Sequence, residues 1–333
     1  MATDRTGDAR YGLTLRRLRQ DRHIRELTRE VRVSATQLIQ PHFVVEGLRG
    51  REAVPGLPGV HRDTPDSLLK QVDQDLEAGT DKLLLFGVPG EKRDVDIRFD
   101  FTARQIGALR KRFGADLWIA VDVCLCSFTT HGHCGVLNRE QDHVINDASV
   151  EQLARASLEY AQAGANCVAP SYMMDGRVAA IRQALDGGGC ERTLLMSYSA
   201  KFHSRFYGPF REAADSAPRA ELKDRASYQI DPARADDAYL SSQRDAQEGA
   251  DILMVKPGLP YLDILKDLSS RIPRPWAVYE VSGEYGAFEA LASQQLMDGP
   301  NAHVECWTAF VRAGASMIIT YGARHARRWL SGA

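Results

Sequence analysis

Eight short apolar runs, alternating with helical stretches through most of the chain, constrain it more than any other feature. They are Leu38-Ile-Gln-Pro-His-Phe-Val-Val45 and the runs at 82–86, 117–121, 166–170, 194–198, 252–255, 276–281 and 317–321. Runs this short and this apolar read as strands buried on both faces. Parallel strands need crossovers, and helices then cover both sides of the sheet. Between the first two runs, Thr64 precedes Pro65 as an N-cap precedes the first helical position. Leu68, Leu69, Val72 and Leu76 then recur on one helical face, and Gly79 ends it. Helices are also expected over about 102–113, ending at Gly114, from about 177, and over 231–248. Ser149-Val-Glu-Gln152 reads as a capping box opening another. Eight such units predict an α/β chain folded as a (β/α)8 TIM barrel over 36–333. A doubly wound open sheet is the rival, but no G-x-G-x-x-G follows the first run and there is no P-loop.

Residues 1–35 stand apart as an arm. They carry Arg5, Arg10, Arg16, Arg17, Arg19, Arg22, Arg25, Arg29 and Arg32, with acids among them. A nucleic-acid arm would want aromatics for stacking, and these are almost absent. An oligomerisation arm packed on a neighbouring subunit through Leu13, Leu15, Leu18, Ile24 and Leu27 is favoured over a solvated one. The net charge of -2 argues against a general polyanion binder. No apolar run approaches the roughly 18 residues of a membrane span, and the polar N-terminus resembles no targeting segment. Six cysteines in 333 residues are no disulfide scaffold. A cytoplasmic protein with reduced thiols is expected, with no nucleic-acid or membrane partner.

Half of those cysteines fall in one stretch, Asp122-Val-Cys-Leu-Cys-Ser-Phe-Thr-Thr-His-Gly-His-Cys134. Cys124, Cys126 and Cys134 are spaced C-x-C-x7-C where the third apolar run gives way to a loop, with Asp122, His131 and His133 beside them. Thiolate is a soft ligand that suits zinc, and three protein ligands leave a fourth position open. The bland alternative is three reduced cysteines packed near a loop. Free cysteine usually packs in a core rather than in a His/Gly-rich loop. Redox pairs are usually spaced C-x-x-C.

In a (β/α)8 barrel the C-terminal strand ends carry the chemistry. Here those ends offer Asp122 and the cysteines, Ser171 and Asp175, Lys201, Lys256, Ser282 and Tyr321. Lys256 follows an apolar strand directly, and Lys201 stands at the end of the strand before it. Desolvation and a second cation both lower a lysine pKa, and a neutral amine can attack a carbonyl to form a Schiff base. Arg211, Arg225 and Gln229 lie in the intervening loop, and guanidinium groups suit carboxylates. A lone lysine or arginine would more often be a surface ion pair. Together they indicate a metal-assisted, lysine-dependent enzyme acting on a keto acid.

The motifs Asp122-Val-Cys-Leu-Cys…His-Gly-His-Cys-Gly135, Ala169-Pro-Ser-Tyr-Met-Met-Asp-Gly-Arg177, Met196-Ser-Tyr-Ser-Ala-Lys201, Phe206-Tyr-Gly-Pro-Phe-Arg211, Met254-Val-Lys-Pro-Gly-Leu-Pro-Tyr-Leu-Asp263 and Val281-Ser-Gly-Glu-Tyr285 span nearly the whole chain. In this order they resemble the zinc-type porphobilinogen synthase (5-aminolevulinate dehydratase) family. The resemblance implies condensation of two 5-aminolevulinate molecules to porphobilinogen in tetrapyrrole (haem) biosynthesis. It implies Schiff bases at Lys256 for the propionate-side substrate and Lys201 for the acetate-side one, with Asp122 near the second amine. Ser282 and Tyr321 would hold one carboxylate, Arg211, Arg225 and Gln229 the other, with Ser171 also in the substrate site. Cys124, Cys126 and Cys134 would bind catalytic Zn2+, and the assembly would be a homo-octamer.

The chain departs from the family pattern in places. Tyr172 stands where many members have aspartate. Lys223 replaces a glycine in a loop that closes over the site. Ser241 stands where members with an allosteric Mg2+ carry glutamate, which argues against that metal here. These departures leave two alternatives: a Schiff-base aldolase or dehydratase recruited to another amino-ketone, and an inactive paralogue serving as a scaffold. Survival of both lysines, all three cysteines and the clamp residues weighs against the scaffold.

Overall fold

The computed structural model describes residues 15–332, so Arg5, Arg10 and Leu13 of the arm lie outside the described residues. The chain divides into two compact units, with the boundary between Arg32 and Val33. In the first, a 3-10 turn Leu15–Arg19 precedes a short helix Arg22–Leu27, whose N-cap Asp21 accepts from the Ile24 amide at 3.0 Å.

The second unit is built on ten strands: β1 (Leu38–Val45), β2 (Glu52–Ala53), β3 (His61–Asp63), β4 (Lys82–Val88), β5 (Trp118–Val123), β6 (Cys167–Pro170), β7 (Leu194–Lys201), β8 (Ile252–Lys256), β9 (Trp276–Tyr279) and β10 (Met317–Ile319). β1 and β4 through β10 pair in parallel in that order, and β10 returns to β1 through Leu38↔Ile318 and Ile39↔Ile319. That closes an eight-stranded (β/α)8 barrel. The β2–β3 hairpin, which the sequence pattern missed because each strand is too short to alternate, adds to the edge of β1 near Phe43.

Alternation along each strand sorts side chains into two layers. Ile39, Phe43, Leu84, Phe86, Ala120, Ala169, Met196, Tyr198, Met254, Ala277, Tyr279 and Ile319 fill the barrel interior. Leu38, Val44, Leu83, Leu85, Ile119, Val121, Val168, Leu253 and Val278 face outward against the helices. Inward parity carries on from Ala120 to Asp122 and from Met254 to Lys256, which is why these polar groups arrive at the mouth.

The helices follow the expected pattern with two corrections. Pro65–Glu77 is capped by Thr64, as its sequence requires, and Asp100–Phe113 ends at Gly114. Ser149, however, opens no helix: it sits inside Asn146–Gln162. Its hydroxyl donates to the Ile145 carbonyl at 2.6 Å and accepts from the Val136 amide, so it ties the loop after the thiols to that helix. The helix expected over 231–248 spans Ala235–Gln247, because Asp231 is spent on a turn, accepting from the Ala233 amide.

A fully buried ion pair ties the helices together. Arg177, at the start of helix Arg177–Gly187, meets Asp245 at 2.5 Å with neither side chain exposed, and the Ser197 hydroxyl also donates to Asp245. The guanidinium donates as well to the Met174 carbonyl, which fixes the loop after β6. Removing one partner strands the other charge in the core. Asp245→Ala is expected to lose about 3–5 kcal/mol in chemical denaturation, whereas the double replacement Arg177→Met with Asp245→Leu loses far less.

Candidate active site

Lys256 ends β8 on the inward parity, but Lys201 does not share the parity of Met196 and Tyr198. The strand pairing shifts between Ser197 and Ala200, so that Ala200 turns outward and Lys201 comes level with Lys256. A bulge of this kind re-aims a side chain. Both amines then lie over the same ring: Nζ of Lys201 is 5.7 Å and Nζ of Lys256 5.0 Å from the centre of Tyr198. The Lys201 amine also donates to the Ser171 carbonyl.

Around Lys256 stand Tyr279 at 4.1 Å, Phe210 at 4.9 Å and Tyr207 at 5.5 Å. Burial in this dry shell, together with the charge of Lys201, pushes the Lys256 amine down to about 7. Burial likewise pushes the Asp122 carboxyl up to about 6, against the pull of the Ser171 hydroxyl and the two lysines. Both groups therefore exchange protons near neutrality, as acid–base chemistry requires. The aromatic shell was not read from the sequence. Strand alternation could have pointed Tyr198 and Tyr279 inward, but no local signal brings Tyr207 and Phe210 across from the loop.

The three thiols converge just beyond Asp122. Their sulfurs lie within 4.8 Å of one another and all three residues are buried. Cys124 and Cys126 Sγ are 3.3 Å apart, too far for a disulfide. The sulfur of Cys134, hydrogen-bonded by its two neighbours, is held well below the ordinary thiol range, while burial pushes Cys124 well above it. Burial disfavours three thiolates side by side, and a cation joining them would offset that cost. That donor set fits a soft divalent metal such as zinc. The two histidines are not part of it: both ring nitrogens of His133 are engaged by Tyr228 and Leu222, and His131 Nδ1 accepts from the His133 amide at 3.0 Å.

Arg225 and Gln229 are buried, and Arg211 is half-buried. Nε of both arginines and both amide atoms of Gln229 lack a hydrogen-bond partner within the protein. Burial and the neighbouring Arg225 charge lower the Arg211 pKa. Unpaired buried donors cost about 1–3 kcal/mol each, and a carboxylate would satisfy them. Ser282 lies at the start of helix Ser282–Ser293, its hydroxyl accepting from the Phe210 amide at 3.1 Å. Tyr321, two residues beyond β10, accepts from the Tyr279 hydroxyl at 3.3 Å and stacks on Phe43. Other sequence candidates fall elsewhere. Asp175 is exposed and paired with Arg244, and Lys223 is exposed beside Glu221. Tyr172 is fully buried in the outer layer.

Barrel and polar mouth define a (β/α)8-barrel enzyme. Residues 13–329 match the family model for delta-aminolevulinic acid dehydratase. A dehydratase of that name from Bacillus subtilis is 41% identical over 320 residues, covering 95% of this chain and 97% of its own. One from Methanothermobacter thermautotrophicus is 43% identical over 316 residues, covering 93% and 94%. The Toxoplasma gondii delta-aminolevulinic acid dehydratase (porphobilinogen synthase), solved with its product porphobilinogen, superposes with a TM-score of 0.91 at 38% identity, covering 95% of this chain and 91% of that one. The chain belongs to the delta-aminolevulinic acid dehydratase family.

The lysine pair has a pH consequence. A lowered pKa leaves Lys256 neutral, and reactive, above about 7. Borohydride trapping of a plain keto acid such as levulinate on Lys256 is expected to rise as pH climbs through that value. In Lys201→Met the repelling charge is gone, so the rise should move to higher pH. A limb that stays in place would show that the two amines do not interact.

Proposed function

We propose that this enzyme condenses two molecules of 5-aminolevulinate to porphobilinogen with loss of two waters. The observation that carries the reading is the register-matched pair Lys201 and Lys256, both over Tyr198, at a mouth shared with the thiol trio. Lys256 attacks the ketone of the substrate that becomes the propionate side, and its carbonyl oxygen leaves as water when the imine forms. Lys201 does the same for the acetate side. The protonated imines are cations, and the faces of Tyr279, Tyr198 and Phe210 favour a cation near them.

In the same reading Ser282 and Tyr321 hold the carboxylate of one substrate, and Arg211, Arg225 and Gln229 hold that of the other. The unpaired buried atoms of the second group support this assignment. Ser171 lines the site beside Lys201, and Asp122 takes and returns a proton near the second amine. Cys124, Cys126 and Cys134 hold zinc, which supplies a Lewis acid when bound. The other amino-ketone chemistry finds no support in the departures, since Lys223 points to solvent and Tyr172 lies outside the barrel interior. The exposed Leu15, Leu18 and Leu27 of the arm fit burial by a second copy, in a homo-octamer as in the family. Six free cysteines fit a reducing cytoplasm, and no described helix is long and apolar enough to cross a membrane.

The test is incubation of the purified protein with 5-aminolevulinate and colorimetric detection of the pyrrole. Chelation is expected to abolish product, and zinc, not magnesium, to restore it. Full activity without zinc, or rescue by magnesium alone, would remove the thiols from the mechanism.

A further inference from the structure

The segment 214–229, which carries Arg225 and Gln229, lies on the thiol loop through a set of contacts that the reaction does not explain. The Ser127 hydroxyl donates to the Ala214 carbonyl at 2.8 Å, and the Arg219 amide donates to the His131 carbonyl at 2.9 Å. Arg225 Nη2 reaches both the Gly132 carbonyl at 3.0 Å and the Ser216 carbonyl at 2.6 Å.

His133 sits at the centre and is completely buried. Its Nε2 is 2.8 Å from the Leu222 carbonyl, and a carbonyl can only accept, so Nε2 carries the proton. Nδ1 is then a lone pair, and the Tyr228 hydroxyl 3.0 Å away donates to it. The oxygen of Tyr228 is left to accept from the Cys134 amide at 3.4 Å. The chain of donors runs Cys134 N–H to Tyr228, Tyr228 to His133, and His133 to Leu222, with one neutral tautomer satisfying every partner.

An independent feature points the same way. Gly132 has φ +72°, and a Cβ there would collide with the backbone carbonyl of Ala217. The two backbones are in direct contact, and only glycine permits it.

We propose that His133 is a positioning residue: with Tyr228 and Gly132 it latches segment 214–229 onto the thiol loop and so places Arg225 and Gln229 over the barrel mouth. Thiol loop and carboxylate clamp then move as one unit. The proposal rests on the reading of Arg225 and Gln229 as substrate-carboxylate ligands, so its test needs a readout that does not depend on turnover.

That readout is amide hydrogen exchange, followed by mass spectrometry on peptides covering 219–228, in the zinc-loaded full chain. Tyr228→Phe removes the links from the Cys134 amide and to His133 while leaving every cysteine side chain in place, and His133→Ala removes the links to Tyr228 and Leu222 together with the ring that packs between them. Exchange in these peptides is expected to rise about tenfold in Tyr228→Phe and further in His133→Ala, with barrel-strand peptides and zinc content unchanged. His133→Gln, whose amide nitrogen falls near the place of Nε2, should recover part of the protection. KM for 5-aminolevulinate should rise about tenfold in Tyr228→Phe while kcat falls less. Unchanged exchange at 219–228 in both variants would overturn the latch. So would a rise shared equally by the barrel strands, which would make His133 a general structural residue. Loss of protection at 219–228 without any change in KM would retain the latch but contradict its role in placing the clamp.

Discussion

Two amines enclosed in one apolar pocket cannot both keep a proton cheaply, and the site is arranged around that constraint. At an effective dielectric of ~20, two unit charges 4 Å apart repel by about 4 kcal/mol. The fall of Lys256 from 10.5 to about 7 corresponds to about 5 kcal/mol between its two forms. Aromatic faces return only about 0.5–2 kcal/mol to a cation, so desolvation and repulsion win and the free amine, the form the proposed reaction needs, is favoured. In the proposed reaction each protonated imine would restore a positive charge facing the same rings.

The same economy of charge extends outward. Three buried thiols disfavour a full set of thiolates without a cation beside them, and the buried Arg225, the half-buried Arg211 and Gln229 hold polar atoms with no partner in the protein, which an anion would satisfy. Each half of the mouth is incomplete in a different sense, one short of a cation and the other short of an anion. The His133–Tyr228 contacts join these halves in the proposed latch, which gives His133 a role other than ligation.

Much of this was legible in the sequence. The apolar runs announced the barrel because buried parallel strands have no polar face to break the pattern, and β1 and the start of Pro65–Glu77 fell at their expected residues. The thiols and lysines stood out because their chemistry is incongruous at the end of an apolar strand. What stayed hidden was set by tertiary contact. The bulge before Ala200 has no glycine or proline to announce it, yet without it Lys201 would face the helices. Ser149 looked like a cap, and only its partners Val136 and Ile145 show that it is an internal tether. Tyr207 and Phe210, at the start of the short helix Gly208–Ala213, and Tyr228, in the segment that follows it, reach the site along a path that no local periodicity encodes.

The central claim is that the bulge in β7 and the end of β8 bring two reactive amines, and no others, to one pocket. Peptide mapping of the enzyme after borohydride reduction in the presence of 5-aminolevulinate tests it directly. The account requires reduced adducts on Lys256 and Lys201, with Lys92, Lys223 and the remaining lysines unmodified. An adduct on a lysine outside the barrel mouth, or none on Lys256, would contradict it.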